Sequence, residues 1–344
     1  LLEYLLFSVV IIAILFYRYV SDLYVFQILL LVILVFFSGF RFEVGTDYPA
    51  YVRYFEAIDV GLVYFQGKEI GFTILNYINK FYLSLGYQSV FFICAFFTIT
   101  IISLSLSRFN SRYIYVFGMF IFVFSGFYTQ SFNIIRQSLS MAICLYSLNY
   151  INERKPFVYF FIIIIALLFH STAVIFLPLY FIFKVDFERK LLFVALVFAF
   201  IFGDFSFKIL SLLFEYFDIR YLHFLNEGED DVTSGSGLMQ YVTLVICLFS
   251  IYHKEKIDSK YFIYFKVFYL YCFFNLIFFE FMLGIRAIQG LKLSMLVFVP
   301  YLFSLFQGRY KYLIILLCFI YYVGFVKYLD NSTNIIPYNL NLSF

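Results

Sequence analysis

Charge is what this sequence has least of. Of its 344 residues only 13% are charged while 64% are hydrophobic, and the mean hydropathy is +0.95. A soluble globular chain is roughly a quarter charged, so a water-soluble domain is excluded and a bilayer is the solvent that fits. Tryptophan is absent, proline occurs five times and histidine three times, yet Phe and Tyr raise the aromatic share to 25%. Most of those rings read as lipid-facing or packing residues. The net charge of +3 comes without a basic face or tail, which excludes a nucleic-acid partner. The five cysteines stand singly in apolar runs with no CxxC spacing and read as small hydrophobes. Neither GxxxxGK[ST] nor GxGxxG occurs, so no nucleotide-binding signature is present and ATP-driven export is disfavoured. No cofactor is expected.

What is there is a series of helix-length apolar runs. A hydrocarbon core of roughly 30 Å takes about 20 helical residues, and the runs lack the dyad alternation of a barrel. An all-α, polytopic integral membrane protein of about twelve crossings is expected. The runs are Tyr4 to Tyr19, Leu23 to Gly39, Ser89 to Leu106, Tyr113 to Tyr128, Phe132 to Tyr150, Phe157 to Phe169, Thr172 to Phe183, Leu191 to Phe202, Leu238 to Tyr252, Tyr261 to Phe279, Ile288 to Phe306 and Tyr312 to Leu329. The first lacks a basic leader region and a small-residue cleavage site, so it reads as a span. Lys and Arg gather in alternate short loops: Arg18, Arg108 with Arg112, Arg154 with Lys155, Lys184 to Lys190, Lys254 to Lys260, and Arg309 with Lys311. The positive-inside rule makes those loops cytoplasmic.

That alternation closes if Glu69 to Leu85 does not cross. Ile70, Ile74, Ile78, Phe81 and Leu85 share one helical face, with Thr73, Asn76, Lys80 and Ser84 on another. The segment reads as an interfacial helix on the outer surface. With no internal repeat and no low-complexity linker, residues 1–344 form a single integral membrane domain with outer segments 41–86 and 203–237. The second outer segment holds the one acidic run, Glu227 to Asp231. It reads more readily as a solvated tip than as a metal site, and no metal is assigned.

Ionisable residues near a span cost about 2.5 to 3.5 kcal/mol at its centre, which makes them functional candidates. Arg41 directly follows the second run, and Gly45, Thr46 and Asp47 form a turn that sets Asp47 at the start of a helix near Pro49. Asn133, Arg136, Gln137 and Ser140 fall at i, i+3, i+4 and i+7, one polar face on an apolar helix. Interhelical hydrogen bonding or snorkelling competes there with a guanidinium aimed at a phosphate. His170, with Ser171 and Thr172 behind it, ends another run, and Arg286 opens a late one with Glu280 before it, a pair that could equally be a local salt bridge. The topology sends all of these to one outer layer, so Arg41, Asp47, Arg136, His170 and Arg286 should line one outward-facing cavity.

The stretches Arg41-x-x-Val44-Gly45-Thr46-Asp47-Tyr48-x-x-Tyr51, Glu69-x-Gly71-Phe72, Ile135-Arg136-Gln137-x-Leu139-Ser140-x-Ala142 and Phe169-His170-Ser171, then Arg286 and Ile336-Pro337-Tyr338, resemble the EpsG family. That family is grouped with the Wzy-type polysaccharide polymerases. The resemblance follows the family's order over most of the chain, and residues 203–237 match none of its stretches. It implies an enzyme that joins polyprenyl-diphosphate-linked oligosaccharide repeat units on the outer side of a bacterial inner (plasma) membrane. The product would be a surface polysaccharide, an exopolysaccharide or O-antigen. The substrate and membrane lipids are the implied partners, together with other assembly proteins such as a flippase or a chain-length regulator.

On that reading Arg41, Arg136 and Arg286 supply forked donors to the departing diphosphate, and Asp47 and His170 are the candidates for general base. Tyr48, Tyr51, Gln137 and Glu69 are candidate glycan contacts. A flippase or secondary transporter of lipid-linked glycans is the alternative of another class. Its usual pseudo-repeats and midplane charges are not found here. An outer-face ligase or acyltransferase is a third reading.

Overall fold

The computed structural model describes residues 1–344 except 22, 59–68, 183–184, 217–236, 279–281, 307, 309–310, 330–333, 341 and 343–344. Sixteen α-helices run through the described residues, and the only β pairing there is an isolated Arg41–Leu340 bridge. The all-α expectation is met. In order, the helices are α1 (Leu2–Val20), α2 (Val25–Gly39), α3 (Tyr48–Ala57), α4 (Ile70–Tyr77, continued by a π-helical turn Ile78–Tyr82), α5 (Tyr87–Ser107) and α6 (Arg112–Phe124). They continue with α7 (Phe127–Gln130), α8 (Ile135–Asn152), α9 (Pro156–Phe169, leading into a 3-10 turn Ser171–Phe176), α10 (Leu179–Ile182) and α11 (Arg189–Tyr216). The last five are α12 (Gly237–Tyr252), α13 (Ser259–Ile277), α14 (Met282–Lys292), α15 (Met295–Ser304) and α16 (Lys311–Leu329).

Local chemistry sets several boundaries. Ser111 caps α6 by accepting the Ile114 N–H at 3.3 Å, and Pro156 starts α9 where no N–H is needed. Each of the twelve apolar runs is helical over all or part of its length. Among the described residues only α1 and α5 are long and apolar enough to cross a bilayer alone; α14 and α15 form one bent pair at 47° that would make a third. Val25–Gly39, Arg112–Phe124, Pro156–Phe169, Ser171–Ile182, Met239–Tyr252 and Leu313–Lys327 are shorter apolar helices. The run from Thr172 is a 3-10 turn and a short helix rather than a continuous span, and α11 continues past Gly203 to Tyr216. The outer segment expected to begin at 203 therefore opens inside a helix; its acidic run, like Glu280, Lys184 and Arg309, lies outside the described residues.

α8 is the axis of the bundle. It is buried on most sides and packs on α5, α9, α13 and α14, while α2 lies on α5, and α6 joins α1, α15 and α16. The periphery is apolar: Phe157 is 90% exposed, and α1, α9 and α11 each present rows of exposed Leu, Val, Ile or Phe. Soluble proteins do not show contiguous apolar surface of this extent, so the chain is a membrane protein. On α4 the expected amphipathicity is present with the apolar side outward. Ile70, Ile74 and Ile78 are exposed while Thr73, Asn76 and Asn79 are buried, as suits a helix whose outer neighbour is lipid.

The basic loops meet at one end. Arg112 reaches the Tyr19 carbonyl at 3.5 Å, Arg108 lies 3.9 Å from Glu153, Asn152 donates to the Lys260 carbonyl at 2.8 Å, and Lys254 donates to Asp186 at 2.7 Å. Arg189 pairs with Glu255 beside them. Arg136 sits at the other end of α8, roughly 25 Å away along its axis at 1.5 Å per residue.

Candidate functional site

The turn after α2 is a clamp on the start of α8. Arg41 is fully enclosed, with 0% of its surface exposed. Its guanidinium donates to the Ser38 carbonyl and, at 2.9 Å, to the Phe132 carbonyl, between the rings of Phe91 (4.7 Å) and Phe132 (5.0 Å). Gln88 donates to the Gly39 and Arg41 carbonyls at 2.7 and 3.1 Å and accepts from the Tyr48 hydroxyl at 3.1 Å. Tyr48 itself is buried, stacked on Phe91 at 4.6 Å. Gly45, at φ +105°, packs against the Asn133 side-chain oxygen so closely that a Cβ would require that amide to move, and its N–H donates to the Asn334 carbonyl at 2.8 Å. Phe42 N–H donates to the Asn339 carbonyl at 2.9 Å and Tyr338 to the Phe37 carbonyl at 2.6 Å. Residues 41–48, 132–133 and 334–340 thus form one unit.

What that unit presents is Arg136, in the first turn of α8. Its guanidinium pairs with Glu69 and lies over the rings of Tyr51 (5.5 Å) and Phe72 (5.4 Å). On the other side of the same carboxylate, His170 Nε2 stands 3.5 Å from Glu69 Oε1. The side chains of Glu69, His170 and Arg136 are 13%, 22% and 36% exposed, so the arginine faces outward and the carboxylate lies behind it. Gly71 brings Glu69 here: a Cβ on it would lie 2.9 Å from Leu168 Cβ and 3.0 Å from the Leu168 carbonyl, so α4 can touch the end of α9 only without one.

Thr172 sets the imidazole. Its N–H donates to His170 Nδ1 at 3.3 Å and its hydroxyl lies 2.8 Å from the same nitrogen. A neutral ring accepting at Nδ1 carries its proton on Nε2, facing Glu69. Burial, reinforced by the Arg136 charge, pushes the His170 pKa down to about 4. The His170–Glu69 contact is therefore between a neutral imidazole and a carboxylate, not an ion pair. Burial raises the Glu69 pKa, against the lowering effect of Arg136. Burial also pushes Tyr51 up to about 12, with Arg136 lowering it and the Asp47 charge raising it, so Tyr51 feels both groups.

The remaining candidates lie around this centre. Gln137 donates to the Arg286 backbone carbonyl at 2.7 Å, tying α14 to α8, and the Arg286 side chain is exposed. Asp47 is exposed at the N-terminus of α3 and makes no capping bond there; Thr46 lies at 3.5 Å. The structure brings Glu69, Arg136, His170 and Tyr51 together, joins Gln137 to Arg286, leaves Asp47 beside Tyr51, and encloses Arg41 and Tyr48 in the supporting clamp. The five residues Arg41, Asp47, Arg136, His170 and Arg286 do not share one cavity wall, because Arg41 has no exposed surface. The roles of Thr172 and Asn133 and the Gly71–Leu168 contact carry little mark in the sequence. A hydroxyl two residues after a helix-ending histidine was the one available signal.

Residues 23–340 match the sequence profile of the EpsG family. The chain belongs to the EpsG family. EpsG-family proteins are Wzy-type polymerase-like, so membership gives this chain a polysaccharide polymerase-like role in a membrane setting. No curated protein and no solved structure matches the chain significantly. In this EpsG-family protein the stretches that carried the resemblance are the parts that build the Glu69–Arg136–His170 centre and its clamp.

Proposed function

We propose that this EpsG-family protein is a polymerase that joins polyprenyl-diphosphate-linked oligosaccharide repeat units on the outer side of the plasma membrane. The observation that carries the reading is the convergence of Glu69, Arg136 and His170, from three separated segments, at the end of α8 remote from the basic loops. With those loops cytoplasmic by the positive-inside rule, the centre faces outward and the twelve helical runs are the crossings, the shorter ones tilted or paired.

In the reaction the bond between the anomeric carbon of the donor and the diphosphate oxygen breaks, and a bond from that carbon to an acceptor hydroxyl oxygen forms. The leaving diphosphate takes up the charge, for which a forked guanidinium is the best available partner. Arg136 supplies it by exchanging Glu69 for the diphosphate. Released from Arg136 in a half-buried setting, Glu69 becomes a better proton acceptor and takes the acceptor hydroxyl proton, while Nε2–H of His170 steadies the carboxylate. Asp47 and Tyr51 at the start of α3 hold acceptor hydroxyls, and Arg286 adds a second cation at the diphosphate. Arg41 and Tyr48 serve by fixing the clamp. A flippase and a chain-length regulator are the proposed neighbours in the pathway.

In cells, Arg136→Ala should stop chain elongation while single lipid-linked units still reach the outer face. Accumulation of units on the inner face instead would favour the transporter reading.

A further inference from the structure

A cavity of about 430 Å³ lies between α11, α12 and α13, away from the Arg136 centre. Its volume falls in the range of small-molecule sites, roughly 300–1,000 Å³. Among the described residues the polar part of its wall is uncharged: the amides of Gln240 and Asn275 and the hydroxyls of Thr243 and Tyr271. Phe200 and Tyr241, both largely exposed at the surface of the bundle, contribute aromatic surface. Asn275 is only 9% exposed and makes no hydrogen bond with any described residue, so its amide is held ready inside the cavity. The Thr243 hydroxyl donates to the Met239 carbonyl at 2.7 Å, which leaves its acceptor positions free. One wall is pinned, because Gly203 of α11 approaches the Leu276 carbonyl so closely that no Cβ fits.

Three ligand chemistries can be weighed against this wall. A hydrocarbon chain would leave the amides and hydroxyls unpaired, at about 1–3 kcal/mol each. A phosphate would call for cations, and none of the described residues that line the cavity is charged. A neutral sugar matches both halves of the wall, its hydroxyls on the amides and its C–H faces on the rings. The cavity also lies at the right end of the bundle. Asn275 is near the end of α13 remote from the basic loop at Ser259, and α14 packs on both α13 and α8. That helix thus touches both the helix that lines the cavity and the helix that carries Arg136.

We propose that this cavity is a second saccharide subsite, taking a short neutral stretch of glycan while the Arg136 centre holds the diphosphate end. The proposal rests on the polysaccharide reading above and deepens it. Cys272 lines the cavity and Cys318 is half-buried, while the other native cysteines are buried elsewhere, so a Gln240→Cys, Cys272→Ala, Cys318→Ala chain offers a single reactive thiol at the cavity. Maleimide labelling of the purified full chain is followed with oligosaccharides cleaved from the producing cell's own surface polysaccharide, or with undecaprenyl phosphate that carries no sugar. The oligosaccharides should slow labelling, and adding Asn275→Leu should weaken that protection about tenfold, the worth of one buried hydrogen bond. Thr243→Val, nearly isosteric, serves as the second variant should Asn275→Leu not fold.

Absence of protection by the oligosaccharides, or protection by undecaprenyl phosphate alone, would overturn the subsite. Labelling needs no turnover, so the two readings fail separately. Protection without any polymerisation sinks the polymerase and leaves the subsite standing; polymerisation without protection does the reverse.

Discussion

Gly45 and Asn133 are in contact with no room for a methyl group between them, at a backbone φ of +105° that only glycine adopts without strain. Together with the Arg41 bond to the Phe132 carbonyl, this contact joins the turn after α2 to the residues that lead into α8. Gly45→Ala should cost about 1–3 kcal/mol from the backbone alone and displace the turn that carries Arg136. Thermal unfolding in detergent and polymer yield should both fall. Adding Asn133→Ala should recover part of the loss, since it relieves the clash and not the φ strain; recovery to wild type would refute the strain component.

Arg41 and Arg136 are chemically alike and predicted to behave differently. Arg41→Ala removes a fully enclosed guanidinium and strands the Ser38 and Phe132 carbonyls, at a cost on the order of 3 kcal/mol in stability. Its signature should be reduced protein in the membrane and early unfolding. Arg136→Ala should leave both near wild type and remove activity.

Gly71→Ala tests the route by which Glu69 meets His170. A methyl group 2.9 Å from Leu168 Cβ forces α4 away from α9, and a displacement of about 1 Å at a reacting group is worth roughly a hundredfold in rate. Turnover should drop on that scale with the amount of folded protein little changed. Full activity in this variant would show that the α4–α9 contact is not needed.

The His170 shift carries a pH signature. With the folded pKa near 4 and the ordinary value 6.5, the unfolded chain binds more protons between those values. Stability contributed by His170 therefore rises with pH across that window and is lost on acidification. Comparing thermal unfolding at pH 4.5 and pH 7, His170→Gln should be less acid-sensitive than wild type. Equal acid sensitivity would mean that the imidazole is not held neutral by its surroundings.

Much of this was legible in the sequence, for identifiable reasons. Hydropathy located the helices because burial in lipid demands long apolar runs, and the i, i+3, i+4, i+7 spacing found the polar face of α8. Loop charge foretold that the basic loops would gather at one end. The difference between Arg41 and Arg136 was not legible, because each is an arginine beside an apolar run. What separates them is that Phe132 and Ser38 offer carbonyls to one and Glu69 a carboxylate to the other, contacts made across 91 and 67 residues of chain and, for Ser38, within one turn. Tyr48 and Tyr51 divide in the same way, one against Gln88 and one beneath Arg136. The outward direction of the isoleucines of α4 follows from what surrounds the protein, which periodicity alone does not encode. Nothing local in the sequence marks Glu69 as the carboxylate between Arg136 and His170 rather than as a glycan contact.

Glycosyl transfer at Glu69, Arg136 and His170 is measurable with purified protein and lipid-linked repeat units from the producing cell. Wild type should yield a ladder of longer glycans, and Arg136→Ala and Glu69→Gln should reduce it by at least about a hundredfold, the usual worth of a general base or of charge stabilisation. No ladder from wild type on authenticated substrate, or an undiminished ladder from either variant, would mean that these three residues are not a glycosyl-transfer centre.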